Sequence, residues 1–129
     1  MTDEPVFLTV AQVAALHRFA LEAHGGQDGL RDSTAFESAV MQPQNVWHYA
    51  GGDLFEIAAA YAFHLAESQA FLDGNKRTGM AAALTFLRLN GRIIPRNTDE
   101  LYAAMLAIAA HQIGKPELVA LLRRLCVDA

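Results

Sequence analysis

Cysteine is nearly absent from this chain, and so are long apolar runs and any excess of positive charge. Cys126 is the only cysteine in 129 residues, which excludes an intrachain disulfide and a cysteine-built zinc cluster. No apolar run reaches the roughly 18 residues a membrane-spanning helix needs. Met1-Thr2-Asp3-Glu4-Pro5 lacks the basic and apolar regions of a signal peptide. A cytoplasmic protein without a membrane partner is therefore expected. The net charge of −4 argues against coating nucleic acid. Neither G-x-x-x-x-G-K-[ST] nor G-x-G-x-x-G occurs, so the common phosphate loops are excluded. His17, His24 and His111 have no ligand spacing with one another, and no zinc site is assigned. The chain also lacks repeats, linkers and low-complexity tracts.

What remains is a hydrophobic fraction of 53%, much of it alanine, which favours close-packed helices over sheet. The length suits one domain, residues 1–129, with a single core. Thr9 with Gln12 is a capping box opening a helix with apolar spacing Val10, Val13, Leu16, Phe19, Ala20. Gly25-Gly26 ends it. Asp32 or Ser33 caps a second helix through about Met41, which Pro43 stops. A loop from Gln44 to Gly52 follows, carrying Trp47, His48 and Tyr49. Asp53 with Glu56 caps a third helix, lined by Leu54, Ile57, Ala58, Tyr61 and Leu65 and ending near Ser68. A fourth runs from Thr78 to Leu89 and stops at Asn90-Gly91. Arg92-Ile93-Ile94 reads as a short extended piece. Asn97 or Thr98 caps a fifth helix to about Gln112. Pro116 opens a sixth, with Leu118, Leu121, Leu122 and Leu125 as its buried stripe. The expected fold is an all-α bundle of about six helices with a short flap loop.

The densest chemistry lies at Phe71-Leu72-Asp73-Gly74-Asn75-Lys76-Arg77-Thr78. The first N–H groups of a helix have no intrahelical partner, and the dipole adds about half a positive charge there. An anion satisfies both, and phosphate is the natural one. Gly74 permits a tight turn and close backbone approach. Asn75 offers a side-chain amide, Lys76 a point charge and Arg77 a planar fork for two phosphate oxygens. Asp73 can neutralise the cations or hold a magnesium ion bridging phosphates. The bland alternative is a capped, solvated turn. It sits poorly with two cations placed where the dipole repels them.

These residues resemble the signature of the Fic/Doc family in its short death-on-curing branch, H-x-F-x-D-[GA]-N-K-R-T. Gly25-Gly26, Gly29-Leu30-Arg31-Asp32, Phe36-Glu37-Ser38-Ala39, Gly51 to Leu54 and Leu84 to Gly91 are similar to that branch too. The similarity runs from about Phe7 to Leu125. It implies an all-α fold and transfer of a phosphate-containing group from a nucleotide, ATP or another NTP with Mg, to a protein hydroxyl. Most relatives transfer AMP. The death-on-curing branch acts as a kinase on a threonine of translation elongation factor Tu, and Lys76 is the residue associated with that branch. A Phd-like antitoxin encoded beside the toxin is the implied partner.

Carried over by position, Asp73 would hold magnesium, and Gly74 and Asn75 would form the anion hole. Lys76 and Arg77, with Thr78 following, would bind the nucleotide phosphates, and Phe71 would anchor the loop. Gln44, Asn45, Val46 and Trp47 fall on the flap that aligns the target segment. Ser33 to Glu37 has the spacing of the [S/T]-x-x-x-E-[G/N] inhibitory helix of some relatives, but Ser38 departs from it, and no inhibitory role is read.

One departure limits the inference. Gln69 stands where the family has histidine, and Ala70 where proline is common. The histidine is a general base, a contribution of about 10²–10⁴-fold, and an amide cannot accept that proton. Positioning and charge stabilisation dominate phosphoryl transfer and can survive its loss. His48, in the flap, is the better substitute base; His64 lies off the face of Gln69. Two functions stay open: a slowed or altered transferase, or a degenerate module that binds nucleotide, antitoxin or translation factor without chemistry.

Overall fold

Residues 3–95 and 99–127 are described by a computed structural model. Among them six helices follow in order, α1 Val10–His24, α2 Ser33–Ala50, α3 Leu54–Ser68, α4 Asn75–Leu89, α5 Asp99–Ala109 and α6 Lys115–Leu125. No strand forms among the described residues, only an isolated antiparallel bridge between Leu30 and Phe71. No described helix is long and apolar enough to cross a membrane. The all-α expectation holds.

The two capping boxes form as expected, Thr9 with Gln12 and Asp53 with Glu56. Asp32 rather than Ser33 caps α2, its Oδ1 accepting from the Ala35 N–H at 3.0 Å. The central helix is α3, which lies against α2, α4, α5 and α6. Ile57 through Ala62 are completely buried, so α3 is apolar all round at its middle rather than along one stripe, as befits a helix with neighbours on every side. Tyr61 is part of this core. Its hydroxyl accepts the Leu8 N–H at 2.8 Å, and burial pushes its pKa up to about 12.

Small residues let α4 approach closely. Gly79 faces α3 so tightly that a Cβ there would stand 2.7 Å from the Ala62 carbonyl oxygen. Ala82 and Ala83 continue that face, fully buried. The contact fixes where the first turn of α4 points.

Three expectations need correction. Pro43 does not stop α2, which continues to Ala50 and ends at Gly51 in the left-handed region, φ 64°. Gln44, Asn45, Val46 and Trp47 are therefore helical rather than a flap loop. Proline inside a helix costs about 3 kcal/mol. Pro43 is itself buried, and Val46 and Trp47 pack on the core just beyond it, so burial offsets that cost. Second, α4 begins at Asn75, three residues before the expected Thr78, for a reason given below. Third, Arg92-Ile93-Ile94 joins no ladder; the Ile93 carbonyl instead accepts the Val127 N–H at 3.1 Å. The caps expected at Asn97 or Thr98 lie outside the described residues.

Candidate functional site

The segment between α3 and α4 is held from several directions. Phe71 is buried, with its ring stacked on His17 at 3.6 Å and tilted against Phe36 at 4.8 Å. The Ala70 carbonyl accepts from the N–H groups of Arg31 and Asp32, and the Leu72 N–H donates to the Gly29 carbonyl. Asn75 then folds its side chain back. Its Oδ1 accepts the Phe71 N–H and its Nδ2 donates to the Phe71 carbonyl, both at 3.0 Å. This double clamp closes the turn and lets helical geometry start at Asn75. The Asn75 amide oxygen and one of its two Nδ2 hydrogens are thus bonded to the loop; the amide carries a second hydrogen that can donate.

Gly74 precedes the helix in the left-handed conformation, φ 84°, and no side chain caps α4. A Cβ at Gly74 would stand 3.3 Å from both His17 and Leu21, so this position combines a demanding backbone with a close approach. The N–H groups of Asn75, Lys76 and Arg77 open the helix, and that first turn contains no acid.

The first turn of α4 faces an open cleft of about 280 Å³. Its opposite wall is the end of α1, at His24, Gly25 and Gly26, and Tyr102 of α5 closes one side. A Cβ at Gly26 would stand 3.1 Å from that of Asp73, so the glycine pair lets α1 exit directly past the acid. One oxygen of Asp73 accepts the Gln27 N–H at 2.7 Å. Its backbone carbonyl is 2.8 Å from His17 Nε2; a carbonyl only accepts, so that nitrogen carries the ring proton. Arg77 lies over the Tyr102 ring at 4.2 Å and donates from Nη1 to His24 Nε2 at 3.1 Å.

The cleft thus gathers Asp73, Gly74, Asn75, Lys76 and Arg77. The other candidates are elsewhere. Gln69 is exposed and does not line the cleft; it ends α3 in the left-handed region at φ 47°. Thr78 is completely buried, its hydroxyl without a partner, so it backs the site rather than facing a ligand. Trp47 borders a separate cavity with Glu4 and Asn90, and Val46 another with Lys115 and Val119.

The substitute bases are also elsewhere. His48 is 3.5 Å from Glu4. His64 is 3.2 Å from Lys115 Nζ; burial first, and then the lysine charge, lower its pKa to about 4.

Sequence reasoning missed three neighbours of the motif. His17 stands four after Val13 and three before Ala20, on the buried face of α1, a spacing that could have revealed it. His24 directly precedes the glycine stop. Tyr102 carried no sequence signal.

The donor set fits a phosphate chain with magnesium. Backbone N–H groups, an ammonium and a guanidinium face one cleft, and Asp73 has a second carboxylate oxygen besides the one bonded to Gln27. No group of three or more His, Cys, Asp or Glu able to hold a metal exists among the described residues. A cation here would take Asp73 together with phosphate oxygens and water, which is how magnesium is commonly held.

Residues 7–87 match the model of the Fic/DOC family. The chain is 33% identical to "Protein kinase doc" of Escherichia phage P1 over 115 residues, covering 88% of this chain and 90% of the relative. It is 44% identical to "Toxin Doc" of Mycolicibacterium smegmatis (strain ATCC 700084 / mc(2)155) over 73 residues, covering 54% and 55%.

Proposed function

This chain belongs to the Fic/DOC family, and on that premise we propose that it is a Doc-like toxin with kinase-like chemistry. It binds ATP with magnesium in the cleft before α4 and passes a phosphoryl group to a protein hydroxyl, with translation elongation factor Tu as the acceptor. The observation that carries the reading is the uncapped first turn of α4, with Lys76 and Arg77 both lining the cleft. Cations there oppose the helix dipole; an anion between them and the free N–H groups removes that penalty.

Asp73 would hold the magnesium ion, which when bound supplies charge neutralisation for the phosphate oxygens. Lys76 and the Arg77 fork orient the phosphates. The Asn75 clamp and the His17 bond to the Asp73 carbonyl keep the loop from shifting under that load. Such positioning is most of what phosphoryl transfer asks of a protein. A Phd-like antitoxin would be the regulatory partner.

A second reading is favoured by one residue. Gln69 is an amide, exposed, and off the cleft, so a module that binds nucleotide, antitoxin or translation factor without chemistry is the alternative.

The test is transfer from ATP labelled separately at the α and γ phosphates, with magnesium and purified elongation factor Tu, run for the wild type and Gln69→His. The expected result is γ label on the factor from the wild type, with a rate little changed by Gln69→His because that position stands off the cleft. Label from the α position would make it an AMP transferase. Label only with Gln69→His would establish the binding module. No label with either would overturn transfer to this factor.

A further inference from the structure

We propose that His24 is the proton acceptor of this site, taking the role that Gln69 cannot fill. The inference rests on the transferase reading above and adds the group that reading lacks.

Geometry selects His24 from the five histidines. His17 is buried and donates from Nε2 to the Asp73 carbonyl. His48 pairs with Glu4, and His111 with Glu67. His64 accepts from Lys115. Only His24 lines the cleft. Its Nε2 is 3.1 Å from Arg77 Nη1, and a guanidinium can only donate. That nitrogen therefore presents its lone pair to Arg77. The residue is exposed, so a proton taken up can pass on to water.

The same contact supplies a gate. In the free protein Arg77 covers the lone pair. Phosphate oxygens form stronger charge-assisted bonds with a guanidinium than a neutral ring does. A bound nucleoside triphosphate would draw Arg77 away and bare Nε2 beside the phosphate chain. In the reaction, the acceptor hydroxyl oxygen forms a bond to the γ-phosphorus as its proton moves to His24 Nε2. The bond from that phosphorus to the β–γ bridging oxygen breaks, and its electron pair leaves on the nucleoside diphosphate. The charged groups facing His24 are Arg77 and Lys76 of α4 and Asp73 of the loop, with the Tyr102 phenol from α5.

The test compares wild type with His24→Gln, which keeps an acceptor for Arg77. Binding of the non-hydrolysable analogue AMP-PNP with magnesium, transfer to elongation factor Tu across pH 5 to 8, and the imidazole nitrogen NMR signals are measured together. We expect the wild-type rate to rise with pH and level off. His24→Gln should lose about a hundredfold or more in kcat and lose the pH dependence, with analogue affinity little changed. The analogue should also shift the His24 Nε2 signal. An unchanged rate and pH profile in His24→Gln would overturn the proposal. So would a loss of affinity as large as the loss of rate, which would reduce His24 to a prop for Arg77. If the wild type binds analogue but transfers nothing, an unmoved His24 signal overturns the proposal and a shifted one supports the gate. If the wild type binds no analogue, the transferase reading fails first and this one with it.

Discussion

Reversing the charge at Arg77 should separate function from stability. Arg77 is the third residue of α4. In Arg77→Glu the loss of binding outweighs the change in stability. Hydrogen bonds involving a charged group are each worth about 1.5–3 kcal/mol, and the fork can make two. Losing both costs at least about 3 kcal/mol, on the order of a hundredfold in affinity, before any repulsion between glutamate and phosphate. The stability change is small because its contributions oppose one another. The bond to His24 and the stack on Tyr102 are lost, the latter worth about 0.5–1 kcal/mol at a half-exposed site. A cation is removed from the helix start and an anion placed there, each change favourable by about 0.3–1 kcal/mol. With the exposed His24 bond worth about 0.5–1.5 kcal/mol, losses of about 1–2.5 kcal/mol face gains of about 0.6–2 kcal/mol, so the net stays within about 2 kcal/mol and Tm should move by less than about 10 °C. Titration with a fluorescent ATP analogue, and thermal scans with and without magnesium-ATP, read both quantities. At a hundredfold excess over Kd, ligand stabilises the wild type by about 2.7 kcal/mol, and the variant, with Kd raised a hundredfold, should gain at most about 0.4 kcal/mol. Unchanged affinity would refute the site. A Tm drop beyond about 10 °C would refute the claim that this cation serves a ligand rather than the fold.

Two further outcomes test the framework around the cleft. Asn75→Ala removes both bonds to the Phe71 backbone, and unpaired buried groups cost about 1–3 kcal/mol each; an unchanged urea midpoint would show that the clamp is not what closes the turn. His64 tests the pH response. Its folded pKa of about 4 lies below the ordinary 6.5, so the unfolded chain binds the proton first. Stability from this group is complete above pH 6.5 and falls as pH drops through 4, by about 1–2 kcal/mol once its partial exposure is discounted. His64→Gln should flatten that acid limb in urea unfolding between about pH 4 and 7, and an identical slope would refute it.

Much of the architecture is legible in the sequence because its signals are local. Thr9–Gln12 and Asp53–Glu56 cap helices with groups three residues apart, and Gly25 stops the first by backbone conformation. Pro43 misleads because the rule it obeys is also local. What overrides that rule is the burial of Pro43, Val46 and Trp47 against other helices, which no window around residue 43 contains. The start of α4 departs from expectation for a related reason. An Asn75 side chain bonded backward to Phe71 is a short-range contact, but it forms only once Phe71 is held between His17 and Phe36.

The candidate site divides in the same way. Composition and spacing carry the helical class and the run from Asp73 to Arg77; the resemblance to the family signature is what marks Gln69 as standing in place of a histidine. Only the packed helices place Gln69 and Thr78 off the cleft, fold the Asn75 amide back onto Phe71, and bring His24 and Tyr102 to Arg77. Those contacts join α1 and α5 to α4, and their positions follow from core packing around α3, where apolar burial acts between segments far apart in the chain.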